Sequence, residues 1–379
     1  MEDVRKICYL SGTRADFGLM RSALCAINDS PLFSLTIIAT GMHLSAKFGN
    51  TINEIKAAGL NVAAEIAAPI EAMTGSEMAH NIALILDGCV SVLEEIKPDI
   101  LIILGDRGEM LAAALAAIHL NVPVVHIHGG ERSGTVDEPV RHAISKLSHF
   151  HFVSTLDACE RLIKMGELQQ NIFITGAPGL DGLKSLVVYN REELFNELHL
   201  DVNKPVALMV FHPVLQEANS AGEAATCILN SLINRSVQVV ALKPNSDAGS
   251  VDILKVLEAF NDNSFVRVVT HFPREKFASW MAAADLMIGN SSAGIIEAAS
   301  FGIPVINVGL RQNLRERNKN TIDVGLNSED IEIAIDGALN HGRYDPVNVY
   351  GDGRTATKIL ALLSRLPLDK QVLYKTNAY

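Results

Sequence analysis

Cysteine is sparse in this sequence of 379 residues, and Cys8, Cys25, Cys89, Cys159 and Cys227 are odd in number and form no C-x-x-C pair. That usage argues against a disulfide framework and fits reduced thiols in a cytoplasmic protein, mostly as small buried residues. No apolar run approaches the ~20 residues that would span a bilayer. The N-terminus runs directly into a strand, so no signal peptide is expected. Positive charge is not in excess. A net charge of -11 argues against nucleic acid or an anionic membrane as the main partner, but leaves room for a small anionic ligand held by a local cluster of donors. Aromatics make up only 5%, yet 48% of residues are hydrophobic and mean hydropathy is +0.21, which argues against disorder. The length suits two domains better than one core.

The most informative stretch covers residues 101–142. The apolar run Leu101-Ile102-Ile103-Leu104 stops at Gly105-Asp106-Arg107-Gly108-Glu109, and a second run over residues 122–127 ends at His128-Gly129-Gly130-Glu131, with Asp137 and Glu138 close behind. Buried-type strands that end in glycines and carboxylates mark the crevice where an open α/β sheet binds ligands. Around this stretch, strands are expected at residues 6–10, 35–39, 150–154 and 172–175, and helices at 76–96, 107–120, 140–148 and 157–165. The alternation predicts a parallel sheet covered on both faces. The pattern then restarts, with strands at 206–211, 237–242, 266–269, 286–289 and 305–308, the last of the set, and helices at 221–234, 277–284 and 351–366. A boundary is expected at residues 176–184, with two α/β domains facing each other across a cleft.

Several residue groups suit chemistry, and each has a plainer alternative. Ser11-Gly12-Thr13-Arg14 lies between a strand and a helix; it is either an ordinary turn or an anion site of backbone N–H groups plus a fixed charge. Asn290-Ser291-Ser292-Ala293-Gly294 occupies the matching place in the second half. With Glu297 it suits a diphosphate and a ribose, or else is a capping serine and a solvated glutamate. His212 suits a phosphate oxygen or a structural role, and Arg311, Arg315 and Arg317 make a basic loop. His126 and His128, read as sharing one side of a strand, raise a metal site with Glu131 and Asp106, but no third histidine has ligand spacing, so no metal is expected. Asp106, Glu131 and Asp137 are better proton carriers, because carboxylates sharing a cleft push one another's pKa values apart. The alternative is helix capping, Asp106 before all.

Taken together, Gly12-Thr13-Arg14-Ala15-Asp16-Phe17-Gly18, Gly105-Asp106-Arg107, His128-Gly129-Gly130-Glu131, Asp137, Arg141-His142-Ala143-Ile144-Ser145-Lys146 and Gly289-Asn290-Ser291-Ser292 closely resemble the UDP-N-acetylglucosamine 2-epimerases. The resemblance covers nearly the whole chain, and is best to the hydrolysing branch that makes N-acetylmannosamine for sialic acid synthesis. It implies a GT-B-like α/β fold of two doubly wound Rossmann-like domains: residues 1–178 with the catalytic carboxylates, residues 179–364 binding UDP, and a C-terminal helix at about 365–379 crossing back. It implies Asp106, Glu131 and Asp137 as catalytic carboxylates, and Arg14, Arg107, His212, Asn245, Ser291, Ser292, Glu297 and Arg311 as UDP contacts. No cofactor is implied. The partners implied are a UDP-sugar, UDP and a second copy of the chain, as homodimer or homotetramer, in the cytoplasm.

The implied chemistry removes the sugar C2 proton while UDP leaves C1, giving 2-acetamidoglucal; water then adds at C1 and a proton returns to the opposite face of C2. Gly41-Met42-His43 stands where non-hydrolysing relatives carry Gly-Gln-His, and methionine cannot supply the glutamine's hydrogen bonds. Water, not UDP, is therefore expected to attack. A hydrolysing epimerase of UDP-2,4-diacetamido-2,4,6-trideoxyglucose shares all these motifs. A GT-B glycosyltransferase would need an acceptor groove and one base, and an inactive sensor would have lost the carboxylates.

Overall fold

The computed structural model describes residues 4–46, 49–69, 74–132, 137–214, 220–244 and 249–379. The described residues form two compact units; one holds residues 4–131, 137–181 and 350–379, the other Arg132 and residues 182–349. In chain order the first runs β1 (Arg5–Ser11), α1 (Arg14–Asp29), β2 (Phe33–Thr40), α2 (Ile52–Ala57), β3 (Val62–Ile66), α3 (Gly75–Ile96), β4 (Ile100–Leu104), α4 (Gly108–His119), β5 (Val124–Ile127), α5 (Asp137–Leu147), β6 (Phe150–Val153), α6 (Leu156–Lys164) and β7 (Ile172–Ile174). The second runs α7 (Arg191–Glu197), β8 (Val206–Val210), α8 (Ala221–Asn234), β9 (Gln238–Leu242), α9 (Ser250–Ala259), β10 (Val266–Val269), α10 (Arg274–Ala283), β11 (Leu286–Gly289), α11 (Ser292–Ile296), β12 (Val305–Val308), β13 (Thr321–Val324) and α12 (Ser328–His341). Helix α13 (Thr355–Leu363) belongs to the first unit again.

Both sheets are parallel. Their strand orders are β3-β2-β1-β4-β5-β6-β7 and β10-β9-β8-β11-β12-β13. Each is doubly wound, with the order reversing at β1/β4 and at β8/β11; ligands bind such sheets beyond the strand ends at that reversal. The inner strands are near-continuous apolar runs because both faces are covered. On β1, Ile7 and Tyr9 join a core with Phe17, Met20 and Leu24 of α1 and Ile359, Leu362 and Leu363 of α13. Cys8 and Leu10, on the opposite face, meet Ile85, Cys89 and Leu93 of α3 and the alanines of α4. That packing returns the chain to the first unit from residue 350, earlier than the 365 expected from sequence.

The sequence reading missed β3 and β13, and so took β12 for the last strand. Both lie at sheet edges, where one side has no neighbour and the strand carries alternating or half-exposed residues in place of an apolar run. It also missed α2, α7, α9 and α12. No helix among the described residues is long and apolar enough to cross a membrane.

The C-terminal tail is fastened to the first unit through a buried carboxylate. Glu167, 3% exposed, meets Lys146 at 2.7 Å, Lys375 at 2.5 Å and His151 Nε2 at 3.0 Å. Lys375 Nζ also donates to the carbonyls of Ser145 and Ser148 at the end of α5, where a cation complements the helix dipole. Burial pushes the Glu167 carboxyl up, but hydrogen bonds from His151, Lys146 and Lys375 outweigh it and bring it from 4.5 down to about 2. A carboxyl lowered on folding stabilises fully above its unfolded pKa and loses that contribution as pH falls through the folded one. Stability from this cluster should therefore decline between pH 4.5 and about 2. Glu167→Gln, which leaves two lysines without their carboxylate, should destabilise the protein at pH 7 by about 3 kcal/mol and flatten that acid limb. Urea unfolding at several pH values measures both, and equal acid limbs in the two proteins would show that Glu167 does not carry the dependence.

Candidate functional site

In the first unit the loops after β1, β4 and β5 gather at the sheet reversal. Thr13 caps α1, and Asp16 closes a capping box, accepting from Gly12 N at 3.0 Å, Thr13 N at 2.6 Å and Thr13 Oγ1 at 3.0 Å. Ser11 Oγ also donates to Asp16, while His43 is held by Ser11 and Thr51, each at 2.9 Å. Burial raises the Asp16 carboxyl and lowers the His43 imidazole. This network is internal support. Arg14 opens α1 just outside it, half-buried, its pKa lowered by burial and raised by Glu54.

After β4, Arg107 rather than Asp106 occupies the N-cap position of α4, and its guanidinium lies 3.3 Å from Glu109. The expected alternative that Asp106 merely caps this helix therefore fails. Asp106 is instead ion-paired with Arg141 of α5, a guanidinium only 1% exposed, whose Nη1 donates to the Glu131 carbonyl at 3.1 Å. Arg141 thus ties the loop after β4 to the loop after β5. Asp137, the first residue of α5, is half-buried.

The two histidines after and within β5 do not form a shared site. His126 is inside the strand; its Nε2 donates to Gly105 O at 2.7 Å and its Nδ1 accepts from Ser145 at 3.1 Å. Burial lowers its pKa to about 3, so it stays neutral. His128 lies beyond the strand with φ of 63° and turns to Glu131: Nδ1 to Oε1 is 2.5 Å, and Ser154 Oγ lies 2.7 Å from Nδ1 and 2.8 Å from the same Oε1. Gly130, at φ of 75°, makes this tight return possible, because a Cβ there would lie 2.4 Å from Ala158 O.

In the second unit the reversal is bridged by an amide. Asn290 Oδ1 accepts from His212 N and its Nδ2 donates to His212 O, both at 2.8 Å. Gly289, at φ of 133°, brings β11 so close that a Cβ would meet Val210 O at 2.1 Å. Ser291 is the N-cap of α11 and accepts from Ala293 N at 3.3 Å; Ser292 follows, half-buried. Arg311 and Gln312, from the loop after β12, donate to Asn290 O at 3.1 and 3.0 Å. Arg317 is taken up by Asp323 at 2.8 Å. Glu297 is not a solvated glutamate: it is 4% exposed and lies 2.5 Å from the guanidinium of Arg274. Asn245 lies outside the described residues.

A family model described as UDP-N-acetylglucosamine 2-epimerase matches residues 25–364. The chain belongs to the UDP-N-acetylglucosamine 2-epimerase family. A Legionella pneumophila protein named UDP-N,N'-diacetylbacillosamine 2-epimerase (hydrolyzing) is 47% identical over 376 residues, covering 99% of this chain and 100% of its own. A Neisseria meningitidis protein named UDP-N-acetylglucosamine 2-epimerase is 34% identical over 363 residues, 94% of each chain. The crystal structure of UDP-GlcNAc 2-epimerase from Neisseria meningitidis bound to UDP-GlcNAc superposes with a TM-score of 0.79 at 19% identity, covering 94% of this chain and 99% of that one, which shows the GT-B-like α/β fold. The chain falls in the hydrolysing branch of the family, whose members are UDP-sugar 2-epimerases.

Within the epimerase, Asp106 and Glu131 come together through Arg141, and His212, Asn290, Ser291, Glu297 and Arg311 share one end of the second sheet. The sequence reading gave no role to Arg141 or Arg274, since an arginine on an amphipathic helix looks like a solvated one. Nor did it see Asn290 as the bridge. Removing that bridge by Asn290→Ala deletes two hydrogen bonds, each worth about 1 kcal/mol. The variant should be about 2 kcal/mol less stable to urea, and an unchanged midpoint would show the loops are fixed otherwise.

Proposed function

We propose that this epimerase converts UDP-2,4-diacetamido-2,4,6-trideoxyglucose (UDP-N,N'-diacetylbacillosamine) and water to UDP and the free 2-epimer. The observation that carries the choice of sugar is the 47% identity, end to end, with the Legionella pneumophila enzyme named for that substrate. UDP-N-acetylglucosamine, giving N-acetylmannosamine, is the second reading; it is favoured by the 34% identical Neisseria meningitidis relative.

In this reading the residues that serve the C2 chemistry, among them Asp106, Glu131 and Asp137, lie in the first unit, with Arg14 and Arg107 as cations at the strand ends. The second unit supplies the UDP contacts: His212, Ser291, Ser292 and Arg311 for the diphosphate, Glu297 for the ribose, and Asn245. Loss of UDP from C1 needs charge stabilisation, which fixed donors provide without reorganisation. The pairing of Asp106 with buried Arg141 supports a base held in one position. The C2 proton leaves, C1=C2 forms, UDP departs with the C1–O electron pair, and water adds to C1.

Incubation with each UDP-sugar in D₂O tests the reading. UDP and free sugar carrying one deuteron at C2 are expected, with kcat/KM for the diacetamido sugar about 10–10² above that for UDP-N-acetylglucosamine, the scale of small-group discrimination. The reverse preference would establish the second reading, and accumulation of a UDP-linked epimer without free UDP would remove the hydrolytic step. Replacing Ser291 and Ser292 together by Ala should weaken UDP binding by about 1–3 kcal/mol, read by calorimetry. Unchanged affinity would take UDP away from that turn.

A further inference from the structure

Epimerisation needs a proton taken from one face of C2 and another delivered to the opposite face. If the group that accepts the proton also returned it, the original sugar would be rebuilt. A second group, chemically different in its role, is therefore required. Asp106 suits acceptance: its ion pair with Arg141, 1% exposed, favours the carboxylate. Glu131 is poorly placed to be the second group. Its exposure, 5%, equals that of His128, but its Oε1 accepts from both His128 and Ser154, and its backbone carbonyl accepts from Arg141. These contacts make it a fixed anchor.

His128 has the complementary geometry. Its Nδ1 is committed to Glu131 and Ser154, which assigns the Nδ1 proton and fixes the ring plane. Its Nε2 makes no hydrogen bond among the described residues. It stands at the end of β5, in register beside the end of β4 that carries Asp106 (Leu104 opposite Ile127), and Arg141 joins the two loops. A carboxylate holding one imidazole nitrogen so that the other can exchange a proton is the arrangement found in catalytic triads. His128 also holds a left-handed backbone, φ 63°, uncommon for a residue with a side chain and concentrated at functional sites.

We propose that His128 donates the proton to C2 in the hydration step, and that Glu131, with Ser154, is its positioning residue. This rests on the elimination–hydration reading above. Asp106 takes the C2 proton, the C–H pair becomes C1=C2, and the C1–O pair leaves with UDP. Water oxygen then bonds to C1 as the C1=C2 pair takes the Nε2 proton of the imidazolium at C2. The surplus water proton and the Asp106 proton pass to solvent, which reprotonates His128. Net, UDP-sugar and water give epimer and UDP.

The two half-reactions separate the assignments. His128→Asn keeps a residue that tolerates the left-handed backbone. It should still release UDP and bind UDP as the wild type does, but accumulate the glucal, with free epimer formed at least ~10²-fold more slowly, the scale of a lost general acid. Asp106→Asn should instead block UDP release itself. In His128→Gly, added imidazole should restore epimer formation, while Glu131→Gln should slow it less than His128→Asn does. Epimer formation at the wild-type rate in His128→Asn, or glucal accumulation only in Glu131→Gln, overturns the proposal and returns the proton to Glu131. Should the wild type release no UDP from either sugar, the epimerase reading falls and this proposal with it.

Discussion

A fully buried guanidinium is expensive unless acceptors come to meet it. Arg141 meets acceptors on the loops after β4 and β5, one giving the Asp106 carboxylate and the other the Glu131 carbonyl. The constraint runs both ways. Helix α5 cannot shift without stranding a charge, and neither loop can move without undoing the pair. The same helix sends Ser145 to His126, which in turn holds Gly105 O, so a second, neutral link duplicates the first. Because burial lowers the His126 pKa to about 3, this link stays neutral near pH 7. At the other end of α5, Lys375 closes the helix against the tail. The tail therefore helps to fix the helix that carries Arg141.

In the second unit the bridge across the sheet reversal is a neutral amide. Asn290 spans the reversal of its sheet with one donor and one acceptor, and its own carbonyl takes Arg311 and Gln312. A neutral bridge is compatible with the diphosphate site proposed there, since a carboxylate would repel the ligand. The buried acid nearby, Glu297, is balanced by Arg274. On the proposed reading, ion pairs stand where protons move, and amide and hydroxyl groups, with Arg311, where an anion binds.

How much was legible in the sequence follows from the same physics. Inner strands such as Leu286–Gly289 and Val305–Val308 match their expected limits, and so does Ala221–Asn234 of α8, because burial on both faces writes a near-continuous apolar run and amphipathic packing writes a periodic one. Edge strands β3 and β13 carry no such mark. Among site residues, Asp106 and Glu131 could be picked out because they end such runs. What they do there could not, because it depends on partners distant in sequence: Arg141 is 35 residues from Asp106, and Ser154 is 23 from Glu131. His128 and His126 were paired by alternation as one side of a strand, yet the strand stops at Ile127 and the left-handed turn swings His128 elsewhere.

The two candidate sugars differ at C4 and C6, whereas the proton chemistry is at C2 and the leaving group is at C1. Groups that act on C1 and C2 are under the same demand in every hydrolysing relative, whatever stands further round the ring. On the proposed assignment, the geometry of Asp106, Arg141, His128 and Glu131 bears on the reaction and is silent on the sugar. Information about the sugar has to come from positions that vary within the family. Agreement with the Legionella pneumophila enzyme at 47% against 34% with the Neisseria meningitidis one counts every aligned position equally, those around the sugar among them. Specificity for a 6-deoxy, 4-acetamido sugar asks for an apolar contact at C6 and an amide partner at C4 where a glucose-type sugar presents two hydroxyls. Such a site penalises the wrong sugar by leaving polar groups unpaired. Changes confined to the residues around C4 and C6 should thus exchange substrates while the buried frame at C2 stays as it is.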